Sequence, residues 1–128
     1  MVAQREPRHI SVDEWRELER TNPDAKYEYI DGQVYLMSGG SLAHSHISSN
    51  TVRTLEDALG SKSCYVYNSD ASVRLSETRY TYPDVLVSCD PSDQPTTEQV
   101  QVLAPCTVIE VLSDSTEGKD RIRKANLY

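Results

Sequence analysis

Two apolar runs, each carrying one carboxylate, constrain this chain more than any other feature. Val85-Leu86-Val87 is headed by Tyr82-Pro83-Asp84, and Glu110 sits inside Ile109-Glu110-Val111-Leu112-Ser113. Both runs are rich in β-branched and aliphatic residues and read as strands with buried faces. A carboxylate drawn into such surroundings is costly unless a cation, hydrogen bonds or protonation compensates it. Two of them on strands point to a shared divalent-metal site, and hard carboxylate oxygens suit Mg²⁺ or Mn²⁺, with the carbonyl of Val111 as a further ligand.

Composition narrows the class. At 128 residues the chain is long enough for one core, so a single domain is expected over 1–128, with 1–25 an N-terminal helical segment and 26–128 the main body. A hydrophobic content of 38%, a charged content of 26% and the lack of a long apolar run fit a soluble globular protein with no transmembrane segment. Met1 to Pro7 lacks the apolar stretch of a signal peptide, which makes a cytoplasmic location the default. Cys64, Cys89 and Cys106 form no CxxC pair and lie in or beside apolar runs. They read as buried small hydrophobes, not as zinc ligands or a disulfide framework. The net charge of −7 leaves no overall basic footprint for duplex nucleic acid. The basic residues that do cluster, Lys119, Arg121, Arg123 and Lys124, form either a phosphate-facing surface or a solvated helix face.

Local signals give the order of elements. Ser11-Val12-Asp13-Glu14 is a capping box opening a short helix with Trp15 and Leu18 that stops before Pro23. Residues 26–30 and 33–37 form a hairpin around Asp31-Gly32, a type I′ signal, with Tyr27, Tyr29, Val34 and Leu36 on one face and Glu28, Ile30, Gln33 and Tyr35 on the other. Gly39-Gly40 breaks the strand. Ser41 caps a helix running to about Leu59 and closed by Gly60, with Ile47, Leu55, Ala58 and Leu59 defining its apolar stripe. His44 falls on that stripe and His46 points away, so His44 faces the sheet, either as a core histidine bonded to backbone or as a functional group.

Residues 64–75 and 80–88 read as two further strands. Pro83 cannot donate to a ladder, so it predicts an edge or bulge that turns Asp84 out of regular pairing. A polar loop over 90–101 precedes a last strand, Cys106 to Leu112, and Ser115 or Thr116 caps a final helix beginning near Lys119.

The motifs Tyr27-Glu28-Tyr29-Ile30-Asp31-Gly32, Met37-Ser38-Gly39-Gly40-Ser41, Ala43-His44, Tyr82-Pro83-Asp84-Val85, Glu110-Val111-Leu112-Ser113, Ser115-Thr116 and Asp120-Arg121 occur in that order. Together they resemble the PD-(D/E)XK nuclease superfamily and, within it, the Uma-type family of restriction endonuclease-like proteins. The resemblance implies an α/β (α+β) fold: a restriction-endonuclease-like mixed sheet with an αβββα core, preceded by a short helix and a β-hairpin. It implies that Asp84 and Glu110 jointly hold Mg²⁺ (or Mn²⁺), and that the activity is hydrolysis of DNA phosphodiester bonds leaving a 5′-phosphate.

In the superfamily pattern a Lys stands two residues after the Glu, where this chain has Leu112. The resembled family is thought to carry that Lys on the following helix, which assigns the role to Lys124, with Lys119 as fallback. Glu28 matches the family's Tyr-Glu motif, as a third carboxylate or as the partner of an arginine, and Asp70 is a second-tier acid. The family motif also has a His at the place of His44. The chain stops at Tyr128, before the core's closing strand, so an open sheet edge and a homodimer are expected. A catalytically inactive module of the same fold, binding nucleic acid or protein, is the alternative.

Overall fold

The computed structural model describes residues 8–37, 39–112 and 128. Helix α1 (Val12–Thr21) is followed by β1 (Tyr27–Ile30) and β2 (Gln33–Leu36), α2 (Leu42–Leu59), β3 (Tyr65–Asn68), β4 (Ser72–Ser76), β5 (Arg79–Thr81) and β6 (Val85–Ser88). A single 3₁₀ turn (Pro91–Asp93), β7 (Gln101–Val102) and β8 (Thr107–Ile109) complete the described elements. The strands form a five-stranded sheet in the order β2-β1-β5-β4-β7 and a three-stranded sheet in the order β3-β6-β8. The architecture is mixed α+β, as expected. No described helix is long and apolar enough to cross a membrane.

The N-terminal signals act as their chemistry dictates. Ser11 Oγ accepts from the Glu14 amide at 3.1 Å and caps α1. That helix delivers Trp15, 3% exposed, into a cluster with Tyr29 and Tyr80, at ring-centroid distances of 5.7 and 4.6 Å. The Trp15 indole N–H is not stranded there, because it donates to the Tyr27 carbonyl at 2.9 Å. The β1–β2 hairpin takes the expected register, Tyr27 opposite Leu36 through Ile30 opposite Gln33. Its turn residues Asp31 and Gly32 both have positive φ, 48° and 91°. The positive φ at Gly32 is what favours glycine there, and a Cβ would also press on the ring of the exposed His9.

Three expectations need correction. Neither 64–75 nor 80–88 is one strand. The Asn68–Ala71 turn divides the first into β3 and β4, the break at 82–84 divides the second into β5 and β6, and in each case the two strands belong to different sheets. Ile47 and Ala58 are not on the inward stripe of α2, Ile47 being 50% exposed and Ala58 exposed as well. The half-buried positions are instead His44, Ser48, Thr51, Val52, Leu55 and Leu59, spaced three or four apart, so small and polar residues fill a face that hydrophobicity alone assigned to Ile47. Third, Cys64 and Cys89 form a disulfide. Tyr65 pairs with Ser88 across β3 and β6, so the next step of that antiparallel ladder sets Cys64 opposite Cys89 with Cα atoms 4.0 Å apart. Apolar flanks correctly mark strands, but strand pairing, invisible in the spacing, brings the two thiols together.

The loop between β6 and β8 is organised by Asp93, whose side chain is 1% exposed. Its Oδ2 accepts from Ser88 Oγ at 2.7 Å and from the Ala104 amide at 2.9 Å. Its Oδ1 accepts from the Leu103 amide at 2.8 Å and from Gln99 Nε2 at 3.2 Å. One buried carboxylate thus ties the end of β6 to the segment that enters β8, and the hydrogen bonds offset the desolvation of its charge. Asp93→Ala strands two backbone amides in a buried site and is expected to cost about 3 kcal/mol of stability. Urea denaturation checks this; a midpoint equal to wild type contradicts the latch.

Candidate active site

Asp84 lies where the chain passes from one sheet to the other. Thr81 ends β5, Val85 begins β6, and buried Pro83 between them supplies no donor that could prolong either ladder. Antiparallel β6 and β8 pair Val85 with Ile109, Leu86 with Val108 and Val87 with Thr107. Continuing that register by one residue sets Asp84 opposite Glu110, and directly opposed residues of an antiparallel pair share a face.

Contacts around Asp84 fix its carboxylate. Oδ2 accepts from the Val111 amide at 2.7 Å and lies 3.2 Å from His44 Nε2. Both side chains are largely withdrawn from water, at 20% exposure for His44 and 15% for Asp84. His44 comes from the first turn of α2, where Ser41 Oγ caps the helix by accepting from the His44 amide at 3.1 Å. The helix end thereby holds the imidazole against the strand carboxylate. All described contacts of Asp84 use Oδ2.

Glu110 Oε1 accepts from the Tyr128 hydroxyl at 3.1 Å, and that hydroxyl is 3.0 Å from Thr81 Oγ1. Glu28, fully buried on β1, accepts from the Tyr82 amide at 3.2 Å through Oε2. The Tyr82 hydroxyl donates to Glu19 Oε2 at 3.0 Å, and Glu19 Oε1 accepts from the Tyr27 amide at 2.9 Å. Burial pushes both phenols well above the ordinary tyrosine range, Glu19 adding to the effect at Tyr82. At Tyr128 the negative charges of Glu110 and Glu28 act in the same direction, against the lowering influence of the Thr81 hydrogen bond. Glu28 and Glu110 are thus both felt at one hydroxyl.

A cleft of about 700 Å³ opens beside these groups, lined by Asp84, His44, Tyr82, Lys26, Asn68 and Ser48 among others. Glu110 stands outside its described lining. Among the described residues no three His, Cys, Asp or Glu side chains converge as a ready metal-holding cluster.

The structure therefore brings Asp84 and His44 together, while Glu110 meets the Tyr128 hydroxyl and Glu28 the Tyr82 amide. Val111 meets Asp84 through its amide. Asp70 is set apart as the ion-pair partner of Lys26. Lys124 and Lys119 lie outside the described residues, as do the basic cluster around them and the final helix. Two groups escaped sequence reasoning: Tyr128 carries no motif, and Asp93 sits in a polar loop where an acidic residue is unremarkable.

The mixed α+β architecture, with Asp84 one residue before β6 and Glu110 one residue after β8, matches a nuclease-like fold. A crystal structure described as "a putative nuclease belonging to DUF820" from Anabaena variabilis superposes with a TM-score of 0.65 at 23% identity, covering 90% of this chain and 66% of that one. A family model, Uma2, described as "Putative restriction endonuclease", matches residues 12–128, and the chain belongs to that family. Two proteins of Synechocystis sp. are also similar. "Uncharacterized protein slr1290" is 43% identical over 116 residues, 90% of this chain and 58% of the relative. "Uncharacterized protein sll1609" is 31% identical over 104 residues, 80% of this chain and 59% of the relative. The chain thus spans less than two thirds of the length of these relatives.

The raised phenols have a consequence for stability. A folded-state pKa above the unfolded value of about 10 favours the neutral phenol in the fold. The resulting stability is complete below that pH and is lost as the pH climbs past it. Tyr82→Phe and Tyr128→Phe are each expected to flatten the alkaline fall in stability, read from unfolding midpoints across the alkaline range. An unchanged alkaline limb in both variants contradicts the assignment.

Proposed function

We propose that the chain carries the catalytic centre of a DNA endonuclease dependent on Mg²⁺ or Mn²⁺. The observation that supports this reading is the pairing of Val85 with Ile109, the neighbours of Asp84 and Glu110, in a chain of a family described as restriction endonucleases. The donor set fits a hard cation: both are carboxylates, and the described contacts of Asp84 leave Oδ1 for a ligand. A further ligand is the Val111 carbonyl. When bound, such an ion polarises a phosphoryl oxygen and lowers the pKa of a nearby water.

The chain's own residues supply the rest. His44 and the Val111 amide hold the Asp84 carboxylate in one orientation. Glu28 is the third carboxylate of the family motif and is held in place by the Tyr82 amide. Lys124 orients the attacking water and stabilises the charge that develops on the phosphate, a role that Leu112 has no polar atom to perform. With a net charge of −7, a bound cation supplies local positive potential that the surface as a whole lacks. The protein acts in the cytoplasm and as a homodimer; a monomer in light scattering at micromolar concentration overturns the dimer.

The second reading, a module of this fold that binds nucleic acid or protein without cutting, rests on Leu112 at the usual Lys position. Plasmid cleavage separates the two. With Mg²⁺ or Mn²⁺ the wild type is expected to nick or linearise DNA, and Glu110→Gln to abolish this. Lys124→Ala is expected to lower kcat by about 100-fold while changing DNA affinity little, because a group acting on the water works in the transition state. Cleavage by no metal and on no duplex or single strand replaces the enzyme with the binding module.

A further inference from the structure

The sequence shows three scattered cysteines, yet the fold gathers all of them at one end of the three-stranded sheet. Cys64 precedes β3, Cys89 follows β6, and Cys106 precedes β8. Cys64 and Cys89 are bonded, and the free Cys106 Sγ lies 3.9 Å from Cys89 Sγ. Cys106 is held by its backbone, whose amide donates to the Val87 carbonyl at 2.9 Å. The Cys106 thiol donates to the Val87 carbonyl at 3.4 Å, and the Thr107 hydroxyl lies 3.9 Å from the same sulfur, so the sulfur is held at this end of the sheet. Cys89 and Cys106 are exposed, so water can exchange protons with the attacking sulfur.

We infer that these three residues form a thiol–disulfide exchange site, in which the bond migrates between Cys64–Cys89 and Cys89–Cys106. Cys106 gives its proton to solvent, and its thiolate attacks Cys89 Sγ. The new Cys89–Cys106 bond forms as the Cys64–Cys89 bond breaks, and the electron pair leaves on Cys64 Sγ, which takes a proton from solvent. Nothing is oxidised or reduced overall, and no outside reagent is consumed.

Migration changes which strands are stapled. In the first state the bond joins β3 to β6; in the second it joins β6 to β8, the pair that sets Asp84 opposite Glu110. Because Cys89 is common to both bonds, the two staples are mutually exclusive. Exposure of Cys106 and Cys89 also opens the site to small external thiols and disulfides, which would enter through the same sulfurs.

Peptide mapping without reduction tests this. Cleavage after glutamates separates the three cysteines, since Glu77 and Glu98 lie between them. Protein oxidised with oxidised glutathione, freed of excess reagent and held overnight at about pH 8.5, near a free thiol's own pKa, is quenched in acid and alkylated. Both the Cys64–Cys89 and the Cys89–Cys106 linked peptides are expected, with alkylated Cys106 accompanying the first and alkylated Cys64 the second. Exchange is expected to slow by at least tenfold at about pH 6, where little thiolate remains. Cys64→Ser, treated with oxidised glutathione, is expected to form Cys89–Cys106, and Cys106→Ser to keep Cys64–Cys89 alone. Wild type yielding no Cys89–Cys106 peptide overturns the site, as does a folded Cys64→Ser that retains glutathione adducts without closing the internal bond.

Discussion

The register of β8 against β6 is the constraint on which the site depends, and Asp93 holds it. Strand β8 is only three residues long and pairs at its described positions with β6 alone. Three ladder positions give little on their own. What returns the chain accurately after the intervening loop is a buried carboxylate that takes amide hydrogens from Leu103 and Ala104 and a hydroxyl hydrogen from Ser88. The latch closes one end of the strand pair. At the other end the Val111 amide closes on Asp84. A slip of one residue would send Glu110 to the opposite face from Asp84, so these two carboxylates, one structural and one exposed to the cleft, jointly decide whether a shared site exists at all.

The two carboxylates solve the cost of burial differently. Asp93 spends both oxygens on donors of its own loop and has no capacity left for chemistry. Asp84 commits Oδ2 to His44 and Val111, and no hydrogen bond or ion pair among the described residues uses Oδ1. That asymmetry separates a carboxylate that organises a loop from one able to bind a ligand. The His44 contact also explains why a helix lacking a fully buried side chain still docks: α2 has no buried residue, and its N-terminal turn is anchored by a polar contact where apolar packing is thin.

Much of this was legible in the chain itself. The α1 cap, the hairpin with its positive-φ turn, the span of α2 and the inward direction of His44 follow from local rules, because each depends on residues a few positions apart. The strand-like runs that carry Asp84 and Glu110 were likewise legible, and β6 and β8 pair beside them. All but one of the failures share a cause. The Cys64–Cys89 bond, the division of 64–75 between two sheets and the bonding of Asp93 to Leu103 and Ala104 all depend on which segments meet in space. Composition marks Asp93 as one acid in a polar loop; only the fold shows its burial. Ile47 misled for another reason: hydrophobicity set its place on the helix, whereas the inward face of α2 carries Ser48, Thr51 and Val52.

The central claim is that Asp84 and Glu110 share a divalent cation. Calorimetric titration of the protein with Mn²⁺ tests it most directly, with Asp84→Asn and Glu110→Gln as nearly isosteric partners that keep the fold and remove charge. The account predicts one Mn²⁺ bound per chain in the wild type and at least a tenfold loss of affinity in each variant, since both ligands act on the same ion. Binding of equal strength in the wild type and both variants, or none in the wild type, would contradict it.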